Sequence, residues 1–126
     1  MQDRCPGSKP VRSHCLFGYR LVLRGVANIE PQAGAEVQGA IYAITDSDER
    51  SLDEYEGFPT RYTKGSFTAR IAEADEEVTF YELVARRYKR AREGYVEIIR
   101  TGFRDWDLPV ESLQRAVQDA QDRGDL

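Results

Sequence analysis

Between Ser51 and Pro59 the chain reads S-L-D-E-Y-E-G-F-P, with Asp53, Glu54 and Glu56 close together and an abrupt Gly-x-Pro exit. On a helix Leu52 and Glu56 are i and i+4 and share a face, with Tyr55 beside it. If Leu52 anchors that face in the core, Glu56 turns toward the domain while Asp53 and Glu54 face solvent. A carboxyl on the covered side, next to Tyr55 and Phe58, loses hydration, and its pKa rises because burial penalises the anion. A general acid or base working near neutral pH needs that shift. The same spacing also fits a last-turn glutamate that simply follows an anchoring leucine.

The chain carries few other groups with chemistry of their own. His14 is its single histidine and Cys5 and Cys15 its two cysteines, so a disulfide scaffold and zinc sites of the four-Cys or Cys2His2 kind are excluded. Neither a metal nor a cofactor is expected. Cys5, between Arg4 and Pro6, is either a thiol activated by the neighbouring charge or a buried structural residue. His14 reads as a surface residue, and Trp106, between Asp105 and Asp107, as an apolar cover near a helix end. Net charge is −4, which argues against general affinity for nucleic acid. The basic run Arg86, Arg87, Lys89, Arg90 and Arg92 reads as a solvated strand end, with phosphate or RNA contact as the remoter reading.

One domain is expected from 126 residues, a length that supports one core. No apolar run is long enough to cross a membrane and no leader pattern opens the sequence, so a cytoplasmic protein with no membrane partner is expected. Residues 15–25 and 36–45 read as strands, the second with Val37, Gly39, Ile41 and Ala43 on one face and Gly39 at a bulge or close approach. Strands over 61–72 and 78–88 pair as a hairpin through the acidic turn Glu73–Glu77. A helix over 46–56 starts at Thr45, with Asp48 three residues on as in a capping box, and stops at Gly57. Two more helices cover 94–105, with Tyr95, Ile98, Ile99, Gly102 and Phe103 on one face, and 109–123, burying Leu113, Ala116, Val117 and Ala120. Gly102 is expected to let another backbone approach. Strands first and helices last give an α+β class, with a mostly antiparallel sheet.

The ordered fragments R-C-P-G (4–7), L-F-G-Y-R-L (16–21), V-Q-G-A-I-Y-A-I-T (37–45), L-D-E-Y-E-G-F-P-T-R-Y (52–62) and G-Y-V-E-I-I-R-T-G-F-R-D-W-D-L-P (94–109) resemble the γ-glutamylcyclotransferase family, the AIG2-like or BtrG-like superfamily. The resemblance runs from Arg4 to about Leu108. Its most specific part is L-D-x-Y-E-G-x-P-x-x-Y after a G-x-x-Y-x-I-T strand. It implies a small β-barrel flanked by helices, with a pocket at the barrel mouth and Glu56 as the acid/base. Tyr62 and Tyr95 match tyrosines that the family places near the pocket; each is either a substrate contact or a core aromatic. The implied reaction closes a γ-glutamyl amide to 5-oxoproline and frees its amine, without metal or cofactor. Family members carry a Y-G-S-N-like strand and loop before R-C-P that cradles the γ-glutamyl group. This sequence begins at Met1 without it, so reduced activity and an exposed sheet edge are expected, with a monomer or an edge-paired homodimer. The alternative function is a catalytically impaired relative that binds a small metabolite or serves as an interaction module.

Overall fold

The computed structural model describes residues 4–84 and 88–126. In chain order the elements are β1 (Lys9–Leu23), β2 (Ala27–Ala43), α1 (Asp46–Glu56), β3 (Tyr62–Ile71), β4 (Ala74–Leu83), α2 (Tyr95–Asp105) and α3 (Glu111–Arg123). The α+β class is as expected, with antiparallel sheets, but the closed barrel is not found. Among the described residues the strands form two two-stranded ladders, β1–β2 and β3–β4. A barrel needs every strand to have a neighbour on both edges, and each of these has one. No helix among the described residues is long and apolar enough to cross a membrane. The described chain divides into two compact units, residues 4–11 with 41–84 and residues 12–40 with 88–126.

In the first unit, β3 and β4 pair antiparallel from Tyr62↔Leu83 to Ile71↔Ala74. Ala72 and Glu73 form the turn, with φ of 49° and 69°, the left-handed backbone that a two-residue hairpin turn demands. The turn is tighter than the sequence suggested, so Ala74–Glu77 join the ladder instead of looping. β4 ends at Leu83; the rest of the strand expected over 78–88 includes residues 85–87, which lie outside the described residues, as do Arg86 and Arg87 of the basic run. Gly65 stands opposite Phe80, whose ring covers it so closely that a Cβ there would sit 2.5 Å from the ring tip. Phe67 packs against the same ring with centroids 6.1 Å apart.

α1 starts as its sequence dictates. Thr45 Oγ1 accepts the Asp48 N–H at 3.0 Å and the Asp48 carboxylate accepts the Thr45 N–H at 3.2 Å, a reciprocal cap that satisfies two orphan donors. Asp48 is only 4% exposed because the R-C-P-G segment covers it. The Gly7 N–H donates to its carboxylate at 3.3 Å, and the buried Cys5 thiol donates to its backbone carbonyl at 3.7 Å. Cys5 is therefore structural. Burial, then the Asp48 charge, pushes its thiol above the usual range, the opposite of an activated nucleophile.

β1 and β2, whose residues 12–40 belong to the second unit, extend further than expected. β1 already begins at Lys9, and β2 begins at Ala27 and runs through Pro31 and Gly34, residues that read as breakers but are tolerated on an edge. Leu23, Ala116 and Ala120 make the core here, with Leu21, Ala27, Tyr95, Val96, Ile99 and Val117 packed on it. The α3 face is the expected one, with Leu113 also buried. The α2 face is rotated: Phe103 is buried, but Ile98 is 61% exposed, and Val96 takes its place in the core. A Cβ at Gly102 or Gly39 would meet nothing within 4 Å, so neither glycine admits a close backbone. Arg24 and Arg123 both stack against Tyr88, at 4.0 and 3.8 Å from its ring centroid, and Arg123 donates to the Leu23 carbonyl at 2.7 Å.

Candidate active site

Glu56 is the last residue of α1 and is half-buried. Gly57 follows in the left-handed conformation, φ 72° and ψ 37°. Its N–H donates to the Glu54 carbonyl at 3.2 Å and the Phe58 N–H donates to the Asp53 carbonyl at 2.9 Å, the bond pair of a Schellman stop. The Phe58–Pro59 bond is cis. The Arg61 N–H then donates back to the Gly57 carbonyl at 2.8 Å, and the Arg61 carbonyl accepts the Val84 N–H at 3.0 Å. Helix end and sheet edge are tied through Arg61.

The surroundings of Glu56 differ from the expected apolar enclosure. Leu52 is half-buried, and Tyr55 and Phe58 are 55% and 40% exposed. The neighbours that act on its carboxyl are instead Arg4 and Arg61. Burial still holds that carboxyl above the usual range, while the two guanidiniums pull it down. It also lies at the negative end of the helix dipole, which further disfavours the anion.

Asp53, expected to face solvent, is bound on its other side. The Tyr81 hydroxyl donates to it at 2.5 Å, and Lys64 Nζ lies 2.8 and 3.0 Å from its two oxygens. The same ammonium bonds Glu49 at 2.8 Å and stands 4.5 Å over the Phe58 ring. Desolvation pushes the Asp53 carboxyl up, but the bonds from Lys64 and Tyr81 outweigh it, and the net effect holds it below the usual range. Hydrogen bonds to Asp53 and then Glu49 raise Lys64. Burial, then the bond to Asp53, pushes the Tyr81 phenol well above its ordinary value.

Tyr62 is buried at the start of β3, with its ring edge-on to Tyr81 at 6.5 Å. Tyr62 and Glu56 therefore belong to the same unit. Tyr95 belongs to the other, where its hydroxyl accepts the Ala27 N–H at 2.7 Å. His14 is half-buried in β1, and desolvation and then Arg12 lower its pKa. Among the described residues no group of three or more His, Cys, Asp or Glu side chains could hold a metal.

Arg4, Arg61, Lys64 and Tyr81 escaped the sequence reading. A signal for Lys64 and Tyr81 was present: a two-residue turn at Ala72-Glu73 fixes Lys64 opposite Tyr81. Another was the charge of α1, which has acids in its first turn and no base in its last, so cations must come from elsewhere.

The family model for Gamma-glutamyl cyclotransferase, AIG2-like, matches residues 1–107. No curated protein sequence matches the chain. Two solved structures share its fold at 21% identity, each match covering 91% of this chain and 76% of the other. One is the crystal structure of the uncharacterized protein loc79017 from Homo sapiens, TM-score 0.77; the other is a gamma-glutamyl cyclotransferase, TM-score 0.74. The ordered motifs and the family match agree, and the chain belongs to the AIG2-like gamma-glutamyl cyclotransferase family.

Proposed function

We propose that this protein cyclises a γ-glutamyl amide to 5-oxoproline and a free amine, with Glu56 as general acid and base. The substrate's α-amine attacks its own γ-carbonyl, forming the lactam C–N bond as the amide C–N bond breaks. An intramolecular attack already has an effective molarity on the order of 10⁵ M or more when well oriented. The protein must then take a proton from the α-ammonium and return one to the departing nitrogen. The observation that supports Glu56 in this role is its half-buried position with a carboxyl raised by desolvation. A carboxylate so placed is more basic than one in water, as a group that takes a proton from the α-ammonium requires. Tyr62, the last residue of the motif, is proposed to contact the substrate or hold Glu56.

The test is release of 5-oxoproline from γ-glutamyl amides by wild type and by Glu56→Gln, which keeps shape and removes the base. Wild type is expected to gain activity as pH rises through a value above the usual glutamate value of 4.5. The variant is expected to fold normally and lose at least about 10²-fold in rate. A variant as fast as wild type would remove Glu56 from the mechanism.

A further inference from the structure

Glu56 has no bond of its own to hold it. Among the described residues its carboxylate makes no hydrogen bond or ion pair, and Arg4 and Arg61 act on it by charge alone. Its place is therefore set by the turn of helix that carries it. In that turn Tyr55 is bonded by Arg4 at 2.6 Å in an exposed pair. The part-buried bonds converge instead on Asp53, three residues before Glu56 and its neighbour on the helix surface. The Asp53 backbone carbonyl accepts the Phe58 N–H at 2.9 Å, closing the chain just beyond Glu56. Its carboxylate accepts from the Tyr81 hydroxyl at 2.5 Å and from Lys64 Nζ at 2.8 and 3.0 Å. One residue thus fixes both the exit of α1 and its seat on the hairpin.

Lys64 and Tyr81 come from different strands but stand directly opposite each other in the β3–β4 ladder, which puts their side chains on one face. A shift of α1 along or across the hairpin must break at least one of the two bonds. Lys64 also reaches Glu49, one helical turn before Asp53, at 2.8 Å, and lies 4.5 Å over the Phe58 ring in the exit. Charge-assisted bonds of this kind are the strong ones, and a reacting group is held to working precision when its neighbours are locked by such bonds on rigid elements. We infer that Asp53, held by Lys64 and Tyr81, is a positioning residue for Glu56, seating the last turn of α1 on the hairpin so that the carboxylate meets the substrate in one partly dehydrated place. This rests on the cyclising function proposed above and adds what the geometry of its base depends on.

The experiment takes away one hold at a time with Tyr81→Phe and Lys64→Met, beside Lys64→Arg and Phe67→Ala. In 5-oxoproline release the first two are expected to lose about 10- to 100-fold in kcat, the cost of a misplacement near 1 Å, with KM little changed. Lys64→Arg keeps a donor and should recover part of the loss. Phe67 alternates to the other face of β3 and packs on Phe80, so Phe67→Ala should lower stability in urea and keep kcat. The second measurement needs no turnover: titration of the Glu56 carboxyl by NMR. Held half-buried, it titrates above the usual 4.5; released into water, it should fall toward that value in both Tyr81→Phe and Lys64→Met. Tyr81→Phe changes no charge, and losing the Lys64 cation would by charge alone move a carboxyl up. Of the groups that act on Glu56 from other segments, Arg4 and Arg61 stay in place in every variant, as do Asp53 and Glu54 on α1 itself. Unchanged kcat and titration in both variants, or an equal kcat loss in Phe67→Ala, overturns the positioning role. If wild type releases no 5-oxoproline, or Glu56→Gln is as fast, the catalytic reading fails separately and the titration decides. A fall in both variants would uphold the role; no change, or a rise in Lys64→Met, would end it.

Discussion

Replacing Gly57 by alanine perturbs the joint between α1 and β3, and the cost can be worked from two contributions. The first is backbone strain: φ is +72°, and holding an L-residue in left-handed backbone costs about 1–2 kcal/mol. The second is contact. The added Cβ would lie 3.0 Å from Arg61 Cβ, inside the roughly 3.5–4.0 Å at which carbons attract. Arg61 Cβ cannot swing away, because its own backbone N–H is bonded to the Gly57 carbonyl at 2.8 Å. Relief must stretch that bond, worth about 1 kcal/mol net. Gly57→Ala should therefore cost about 2–3 kcal/mol. Gly34→Ala separates the two contributions, since Gly34 has a φ of +81° and nothing within 4 Å of its built Cβ; strain alone, about 1–2 kcal/mol, is expected there. Urea unfolding of both variants at 25 °C gives the difference directly. If Gly57→Ala were no worse than Gly34→Ala, the Arg61 contact would be yielding and the reasoning about this joint would fail.

Asp53→Asn should cost about 1–3 kcal/mol near neutral pH by weakening the bonds from Lys64 and Tyr81. A carboxyl held below its usual 3.8 binds fewer protons folded than unfolded, so its stabilisation is complete above that value and lost as pH falls through the folded pKa; the gap between wild type and variant in urea titrations should close in acid. Gly65→Ala should destabilise by about 1 kcal/mol through displacement of the Phe80 ring, and a double-mutant cycle with Phe80→Ala should recover most of it. Tyr95→Phe removes the acceptor for the Ala27 N–H and should cost about 1–3 kcal/mol in unfolding measurements, with 5-oxoproline release unchanged if that bond is the hydroxyl's whole role.

Local rules carried the reading of α1. Thr45, Asp48 and Gly57 each specify backbone through their own side chain or its lack, so both helix ends were legible without tertiary knowledge. The helical face of α3 was legible for a similar reason: Leu113, Ala116 and Ala120 recur at helical spacing. The failures were long-range. The second strand was expected to start at residue 36, but an edge strand accommodates Pro31 and Gly34 and begins at Ala27. Ala72 and Glu73 are not typical residues for left-handed backbone, so the hairpin turn was placed too far along, and the Lys64–Tyr81 register was lost with it. Glu56 was singled out because a helix end and a neighbouring motif mark it. Arg4, Arg61 and Lys64 were not, because spacing along a helix says nothing about which cations other segments bring to its end.

The chain enters each compact unit twice, since residues 12–40 leave the first unit and residues 41–84 return to it. No contiguous stretch of the gene therefore encodes either unit whole. Recombination between relatives at a single crossover inside β1 or β2 would combine halves of different parentage within both units at once, so sequence exchange here is tolerated only where the two parents agree in both. A relocated reading frame offers a way round this. Joining the original ends by a linker and opening the chain near residue 41 would make 41–84 and 12–40 the outer segments, leaving the second unit interrupted only by the linker and 4–11. Comparing how well such permuted chains fold would show which of the two units organises itself first.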